Sequence, residues 1–300
     1  MKKYKVALLV VANNDYQAEQ TVAAKHAAQE FEIDLHVVQT EHDAVMQSQE
    51  VLKLLHSPDG IRPDGILFEP VGTALAQPAR IAATKGVGWV VLNRQVEYLS
   101  ELRREFSTPL FCVTTNHDEV GRIQGEQIAK LLPRGGAVLY VHGPSDNKAA
   151  THRAAAMQEA KPASVEVRVL KGLWTEESAF NAVRSWLKLN VVKDDSFGVV
   201  AAQNDAMALG ARRAFQELTG GAERDHWLSL PYIGCDGLPS TGQVYVHRGL
   251  LTATVVIPAN ADQAIRALNN ALKAKQQPPE CIFTSASSFP ALTALKPSHQ

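Results

Sequence analysis

Apolar residues in this chain occur either in short continuous runs or at helical spacings. The run from Phe197 to Ala202 ends at the polar residues Gln203, Asn204 and Asp205. Beyond them, apolar side chains recur at spacings of three and four, which predicts a helix. They are Met207, Ala211, Ala214, Phe215 and Leu218. A buried strand therefore gives way to a helix at Asn204 and Asp205, and either side chain can cap the first helical turn.

The same strand-to-helix unit recurs along the chain. Further strands are predicted at Lys5–Ala12, Ile33–Val38, Gly65–Phe68, Trp89–Leu92, Leu110–Thr114, Ala137–Val141, Val165–Leu170, Tyr232–Ile233 and Leu251–Val256. Further helices are predicted at Tyr16–Phe31, Ala44–Leu55, Leu75–Thr84, Asn116–Leu132, Lys148–Ala160, Glu176–Leu189 and Asn260–Leu272. Tyr98–Pro109 reads as an irregular insert, and the residues after Gln276 read as short extended pieces. This alternation predicts an α/β fold of two doubly wound, parallel-sheet units, with a tail that returns to the first unit.

Polar side chains collect where the predicted strands end. They are Asn13, Asn14, Asp15 and Tyr16; Asn93 and Arg94; Asn204 and Asp205; Asp236; and, on or before helices nearby, Arg153 and Trp174. Ligands of open α/β sheets bind at the carboxyl ends of the strands. Amides, carboxylates and guanidinium groups exchange hydrogen bonds with hydroxyls, and aromatic faces contact C–H surfaces. This set predicts a cleft for a small polyhydroxylated ligand, although each residue alone can be interpreted as a turn former or a cap.

The composition and charge of the chain limit the classes of partner that it is expected to bind. The formal net charge of the 300 residues is −1, and the basic residues are scattered, which argues against nucleic acid as a partner. No stretch approaches the roughly 18 apolar residues of a membrane span, so no membrane insertion is expected. The three cysteines, Cys112, Cys235 and Cys281, are far apart and lack CxxC spacing. We expect them to pack as small hydrophobic residues, without a zinc site or a disulfide framework.

The sequence lacks the common motifs of catalysis. The chain contains no GxGxxG after its first strand and no GxxxxGK[ST], HExxH or GxSxG. The ten histidines are dispersed, with His117, His142 and His152 nearest the predicted cleft. We therefore predict no catalytic residue, no metal site and no cofactor.

The first residues, MKKYKVALLVVANND, combine lysines with an apolar run of about seven residues and no small-residue cleavage site. This pattern predicts the first strand followed by a binding loop. If Met1 is the native start, the expected location is cytoplasmic. If a leader has been removed, the expected location is periplasmic or extracellular.

Seven segments in order resemble the type I periplasmic sugar-binding proteins, the ribose-binding-like group, whose fold is shared with the effector-binding core of lac-repressor-type regulators. The segments are VALLVVANNDYQ, WVVLNRQV, TTNHDEVGRIQGEQIAKLL, NKAATHRAAAMQEA, AAQNDAMALGARRAF, IGCDGLPS and GLLTATVVIPANADQAIRAL. AAQNDAMALGARRAF is the most specific of them, and the resemblance runs through most of the chain.

The resemblance implies a site and a domain plan. Its ligand contacts would be Asn14, Tyr16, Asn93, Arg94, Arg153, Asn204 and Asp236, with Asp15, Trp174 and Asp205 as further candidates. It implies an N-terminal lobe of residues 1–115 plus 258–286, and a C-terminal lobe of residues 116–257 plus 287–300. The ligand cleft would lie between these lobes, and a hinge of three crossings, near Thr115, Ile257 and Ala286, would close it.

This chain departs from the ribose-binder pattern at three positions. Asn93 stands where the family commonly has Asp, Ile257 where it has a polar hinge residue, and Gln17 where it has a second aromatic. These changes make the predicted pocket less charged and less aromatic. They favour a ligand other than plain ribose.

Three functions fit these features. The first is a non-catalytic solute-binding protein that hands a small sugar-like ligand to the membrane permease of an ABC transporter. The second is a cytosolic ligand sensor that signals to a protein partner, since no helix-turn-helix precedes Lys5. The third, an α/β enzyme using the same cleft, has no nucleophile or metal motif in its support.

Overall fold

Strands and helices alternate in the computed structural model, which describes residues 3–12, 14–41, 43–189 and 197–298. The elements before residue 116 are β1 (Lys5–Val10), α1 (Asp15–Glu30), β2 (Asp34–Gln39), α2 (Ala44–His56), β3 (Gly65–Phe68), α3 (Ala76–Thr84), β4 (Gly88–Leu92), α4 (Tyr98–Glu105) and β5 (Leu110–Thr115). The elements from residue 116 to residue 258 are α5 (His117–Leu131), β6 (Gly136–His142), α6 (Lys148–Ala160), β7 (Val165–Lys171), α7 (Glu176–Leu187), β8 (Phe197–Ala202), α8 (Asp205–Gln216), α9 (Gly221–Ser229), β9 (Tyr232–Asp236), α10 (Gly242–His247) and β10 (Ala253–Val256). The chain finishes with α11 (Asn260–Ala274), β11 (Cys281–Thr284), β12 (Ser287–Phe289) and a 3-10 turn at Leu292–Ala294.

These elements form two units. Unit 1 consists of Met1–Thr115 and Ala259–Thr284, and unit 2 consists of Asn116–Pro258 and Ser285–Gln300. The backbone therefore passes from one unit to the other three times, and each unit is built from separate pieces of sequence.

The sheet of unit 1 has the strand order β11-β5-β4-β3-β1-β2, and all its described pairs are parallel. Alternate residues of β1 face opposite layers. Ala7 and Leu9 pack with α2, α3 and α4, whereas Val6, Leu8 and Val10 pack with α1 and α11. Burial on both faces explains why the strands are continuous apolar runs. It also places the carboxyl ends of β1, β3 and β4 side by side.

The sheet of unit 2 has the order β12-β10-β9-β8-β6-β7, in which β12 alone among the described strands runs antiparallel to its neighbour. Leu139 and Val141 of β6 face the helices α7 and α8, and Val138 and Tyr140 face α5 and α6. The carboxyl ends of β6, β8 and β9 meet at one edge. The predicted fold class of two doubly wound, parallel-sheet units is confirmed.

Several local predictions require correction. The segment Tyr98–Pro109 is not an irregular insert, because α4 forms at its start and buries Leu99 and Leu102. Two buried residues on a short, charged helix leave too weak a periodicity to be read from the sequence. The helices α9 and α10 were likewise not predicted. The tail beyond Gln276 does return to unit 1, as β11 beside β5.

Candidate functional site

Unit 1 joins the ends of β1, β3 and β4 through a hydrogen-bonded network centred on Glu69. One carboxylate oxygen of Glu69, Oε2, accepts from Gln17 Nε2 at 2.8 Å and from Asn93 Nδ2 at 2.9 Å. Asn93 Oδ1 accepts in turn from the Tyr16 hydroxyl at 2.9 Å and from Asn260 Nδ2. These side chains thereby link the ends of three backbone-paired strands to the start of α11.

The backbone of this edge is specialised too. Asn93 has φ 64°, a left-handed conformation that Asn adopts more readily than most residues. The loop after β3 is held by Gln47, whose amide donates to the Glu69 carbonyl at 2.7 Å and accepts from Val71 N at 2.9 Å. Glu69 is half-buried, so its carboxylate is presented at the strand edge on a fixed backbone.

The other predicted residues of unit 1 lie at the same edge but outside the network. Asn14 is exposed and caps α1, its Oδ1 accepting from Gln17 N at 2.9 Å. Asp15 and Arg94 are exposed. Within the described part of the chain, the Arg94 side chain has no hydrogen-bond or ion-pair partner. Asn13 lies outside the described residues.

Arg153 is the centre of the strand edge in unit 2. It is only 7% exposed although it carries a charge. Its Nη1 donates to the Gln203 carbonyl at 2.7 Å and lies 3.9 Å from Asp236 Oδ1, and its Nε donates to His117 Nδ1 at 3.4 Å. The guanidinium carbon lies 5.6 Å from the ring centroid of Trp174, within reach of a cation–π interaction.

The backbone around Arg153 is locked by a buried amide. Gln203, which follows β8 directly, accepts from Gly143 N at 2.7 Å and donates to the Ala150 carbonyl at 2.7 Å. These bonds tie the end of β8 to the loop after β6 and to the first turn of α6. Arg153 therefore projects from a helix whose position is set from two sides.

Asn204 and Trp174 are fixed by one another. Asn204 caps α8 by accepting from Met207 N at 2.9 Å, and its Nδ2 donates to the Trp174 carbonyl at 2.9 Å. Trp174 has φ 65°, and its indole lies so close to Gly143 that a Cβ there would be 2.6 Å from the ring. Asn204 thus acts as a cap, as its strand–helix position predicts, and also holds the loop that carries the aromatic ring.

Two aspartates of unit 2 have different surroundings. Asp205 is buried, and both its oxygens are engaged, Oδ2 by Gly237 N at 2.9 Å and Oδ1 by Thr254 Oγ1 at 2.7 Å. Burial, reinforced by the nearby Asp236, raises the pKa of Asp205 well above its ordinary value. Its contacts join α8 to the loop after β9 and to β10, which is a structural role.

Asp236 ends β9 with φ 96°, and its side chain remains 23% exposed. Burial raises the pKa of Asp236 to about 6, against the opposing effect of the Arg153 charge. His117 on the other side of Arg153 shows the reverse: burial, and then the Arg153 charge, lower its pKa to about 3. At neutral pH Arg153 therefore faces a carboxylate and an uncharged imidazole.

Each unit thus has a set of polar side chains at the ends of its strands. Three residues of these two sets were not predicted as site residues from the sequence. Glu69 follows the predicted strand Gly65–Phe68 directly, so the strand-end rule that selected Asn93 could have selected it. His117 was noted only as lying near the predicted cleft, and Asn260 only as a helix start. In the described residues no cluster of three or more His, Cys, Asp or Glu could hold a metal ion. None of the described helices is long and apolar enough to cross a bilayer.

The fold and the two sites place this chain in a class of α/β proteins. Such proteins have two parallel-sheet units, with amide, carboxylate, guanidinium and aromatic groups at the strand ends. Residues 6–277 match the family model described as a periplasmic binding protein domain. The chain belongs to that family, and the resemblance inferred from the seven segments is confirmed.

Curated relatives match part of the chain. The ribose import binding protein of Escherichia coli is 32% identical over 140 residues, which cover 45% of this chain and 42% of that protein. A xylitol-binding protein of Mycolicibacterium smegmatis is 25% identical over 209 residues, covering 66% of this chain and 51% of that protein. The matched region thus spans about half the length of these relatives.

Solved structures match the fold over nearly the full chain. The periplasmic binding protein of the arabinose ABC transporter of Shewanella sp. ANA-3 gives a TM-score of 0.77 at 22% identity, covering 95% of this chain and 91% of that one. A periplasmic solute-binding protein of Actinobacillus succinogenes with bound D-allose gives 0.79 at 18% identity, covering 96% and 97%. These relatives are binding proteins. The identities are low, so the likeness concerns the fold.

Proposed function

We propose that this protein binds a small sugar or sugar-like polyol without chemically changing it. The observation that carries the proposal is the arrangement around Arg153: a buried guanidinium beside the Asp236 carboxylate, with the Trp174 ring next to it. A fixed fork of donors, an acceptor and an aromatic face are the groups that a polyol requires. The relatives that carry ribose, arabinose, allose and xylitol in their names support the same ligand class.

Unit 1 would supply the complementary groups. Tyr16 and Asn93 offer an aromatic face and an amide, and Glu69 offers a carboxylate held by two amides. Asn93 stands where the family commonly has a charged Asp, but Glu69 lies beside it and supplies a charged acceptor to unit 1. We propose that Asn14, Arg94 and Asn204 complete the contacts, and that both units engage one ligand through a hinge motion about the three connections.

The proposed physiological role is delivery of the bound ligand to the permease of an ABC transporter, with the protein in the periplasm or at the cell exterior. The family and the import functions named for its relatives support this role over the cytosolic sensor. Uptake measurements with the permease separate the two. Uptake that depends on this protein supports delivery, whereas ligand binding without any effect on uptake supports the sensor.

Thermal unfolding tests ligand binding directly. D-ribose, L-arabinose, D-allose, xylitol and myo-inositol should be compared, since ligand at 100 times its Kd stabilises the folded state by about 2.7 kcal/mol. We expect at least one to raise Tm by several degrees, and small-angle scattering to show a smaller radius of gyration with it. No shift with any pentose, hexose or polyol would contradict the proposed ligand class.

A further inference from the structure

Two cysteines of unit 1 form a side-by-side pair on neighbouring strands. Cys112 of β5 and Cys281 of β11 are direct register partners in a parallel pair. Their sulfur atoms lie 2.6 Å apart, with the Cys112 thiol donating to Cys281 Sγ. Adjacent strands lie about 4.8 Å apart, within the range of Cα separations that a disulfide spans. The strands therefore need no rearrangement for the two sulfurs to bond.

The two thiols differ in access. Cys112 is 2% exposed, whereas Cys281 is half-buried on the strand at the edge of the sheet. Gln95 Nε2 lies 3.5 Å from Cys281 Sγ and can donate to it. The hydrogen bond from the Cys112 thiol, together with the weaker contact from Gln95, lowers the pKa of Cys281. The hydrogen bond to Cys281, together with burial, raises the pKa of Cys112. An external reagent thus meets Cys281 first, in its more reactive form.

Cys235 provides an internal contrast. It lies on β9 of unit 2 and is fully buried, and burial raises the pKa of its thiol. Among the described residues, Cys235 has no sulfur partner. It is the small hydrophobic residue that the sequence predicts. Cys281 also packs against a hydrophobic core, but it is only half-buried and lies beside a second thiol.

We propose that Cys112 and Cys281 are a redox-active dithiol that forms a disulfide between β5 and β11. The oxidant is a disulfide, of a small thiol or of a thiol–disulfide oxidoreductase. The Cys281 thiolate attacks one sulfur of that disulfide, forms a mixed disulfide and releases one thiolate. Cys112 then attacks Cys281 Sγ, the second thiolate leaves, and it takes up the Cys112 proton. The pair loses two electrons, and the external disulfide becomes two thiols.

The bond would fasten a weakly held element. β11 is a four-residue edge strand whose only partner in the described sheet is β5. The bond would join positions 169 residues apart, so it would remove much of the freedom of the unfolded chain. It would also sit three residues before two of the connections between the units, after Thr115 and after Thr284. Oxidation is therefore expected to raise Tm by several degrees.

Thiol counting tests the proposal on the full chain. The protein is equilibrated in glutathione buffers from fully reduced to fully oxidised. Its free thiols are then labelled with N-ethylmaleimide in denaturant, so that buried thiols also react, and the intact protein is weighed by mass spectrometry. We expect three labelled thiols in reducing buffer and one in oxidising buffer, with peptide mapping linking Cys112 to Cys281. Three labelled thiols in wild-type protein throughout the series, or a link that includes Cys235, would overturn the proposal.

Variants assign the roles of the two sulfurs. Cys235→Ser is the matched control and should still lose two thiols. In Cys112→Ala, Cys281 should accumulate as a mixed disulfide with glutathione. In Cys281→Ser, Cys112 should stay free in the folded protein. If Cys112 in the Cys281→Ser variant reacted with glutathione disulfide faster than Cys281 does in the Cys112→Ala variant, the proposed order of attack would be refuted.

Discussion

The guanidinium of Arg153 lies 3.9 Å from the carboxylate of Asp236 and is almost fully buried, although the two residues come from different elements, α6 and the end of β9. A buried cation of this kind requires partners, because removing a charge from water is costly. Among the described residues, the polar partners of Arg153 are the Gln203 carbonyl, Asp236 and His117. The pair can therefore both stabilise unit 2 and offer polar atoms to a ligand.

Replacing Arg153 tests the proposed binding role. Arg153→Ala should abolish the sugar-induced rise in Tm, because it removes the donor fork and leaves Asp236 without its cation. Circular dichroism should confirm the fold of the ligand-free variant. The matched control is Arg168→Ala, since Arg168 is exposed on β7 and lies 3.9 Å from Glu166. Wild-type affinity in Arg153→Ala would show that the ligand binds elsewhere.

The raised pKa of Asp236 predicts a pH-dependent affinity. A ligand hydroxyl donates best to the ionised carboxylate, which predominates above a pKa of about 6. Affinity for the sugar identified by thermal shift should be constant above pH 7 and fall about tenfold by pH 5. Titration calorimetry at several pH values measures this change. Asp236→Asn should bind more weakly and lose the dependence, and an equally steep dependence in that variant would assign it to another group.

His117 makes an opposite prediction, for stability. Its pKa is about 3 when folded, against 6.5 ordinarily, so the unfolded chain takes up a proton as the pH falls below 6.5 while the folded protein does not. Stability attributable to His117 is therefore lost on acidification. His117→Asn keeps an acceptor for Arg153 Nε and cannot titrate. As the pH falls from 6.5 to 5, the free energy of unfolding of wild type should decrease by about 2 kcal/mol more than that of this variant.

Urea unfolding at each pH measures that difference. Comparing the variant with wild type at the same pH cancels Asp236, whose raised pKa acts with the opposite sign. A difference that stays constant with pH would show that His117 does not resist protonation in the folded protein.

Glu69→Gln tests the carboxylate of unit 1. A glutamine oxygen can still accept from Gln17 and Asn93, so the network and the fold should survive. Affinity for the sugar should fall about fivefold, because hydrogen bonds to charged acceptors are stronger than neutral ones. Glu50→Gln is the control, since Glu50 lies on α2 and pairs only weakly with Lys53. Unchanged affinity in Glu69→Gln would remove Glu69 from the proposed contacts.

Gly121→Ala tests the packing that positions Arg153. A Cβ on Gly121 would lie 2.9 Å from the Arg153 Cα and would overlap its carbonyl oxygen, so α5 and α6 must separate. Chemical unfolding should show a loss of about 2 kcal/mol or more. Gly221→Ala, at the start of α9 with nothing within 4 Å, should change stability by less than about 0.5 kcal/mol. Equal effects in both variants would contradict the close helix contact.

Local sequence patterns predicted the elements that are strongly apolar. β8 spans Phe197–Ala202 as expected, because a parallel strand buried on both faces is a continuous apolar run. Asn204 caps α8 as its position indicates. Gly121 and Gly125 lie one helical turn apart on α5, and α6 lies against both. By contrast, α4 was missed because only Leu99 and Leu102 of its eight residues are buried.

The side-chain network of each strand edge could not be predicted in this way. Asn260 donates to Asn93 across 167 residues, and no local spacing encodes such a contact. Glu69 is identifiable only after the strand order places β3 between β1 and β4. Gln17 looked like a lost aromatic residue, whereas the structure shows that it holds Glu69. The roles of these residues in ligand binding stay predictions.

The late arrival of α11 and β11 has a consequence for biosynthesis. Ile265 and Leu268 of α11 pack on the face of the first sheet that Leu67, Val90 and Phe111 present. When the ribosome has made residues 1–115, α1 can cover part of that apolar face, but the part that packs against α11 is still exposed. Unit 1 cannot complete this helical layer until Asn260–Ala274 has emerged, so a nascent chain stalled before Asn260 should be a substrate for chaperones.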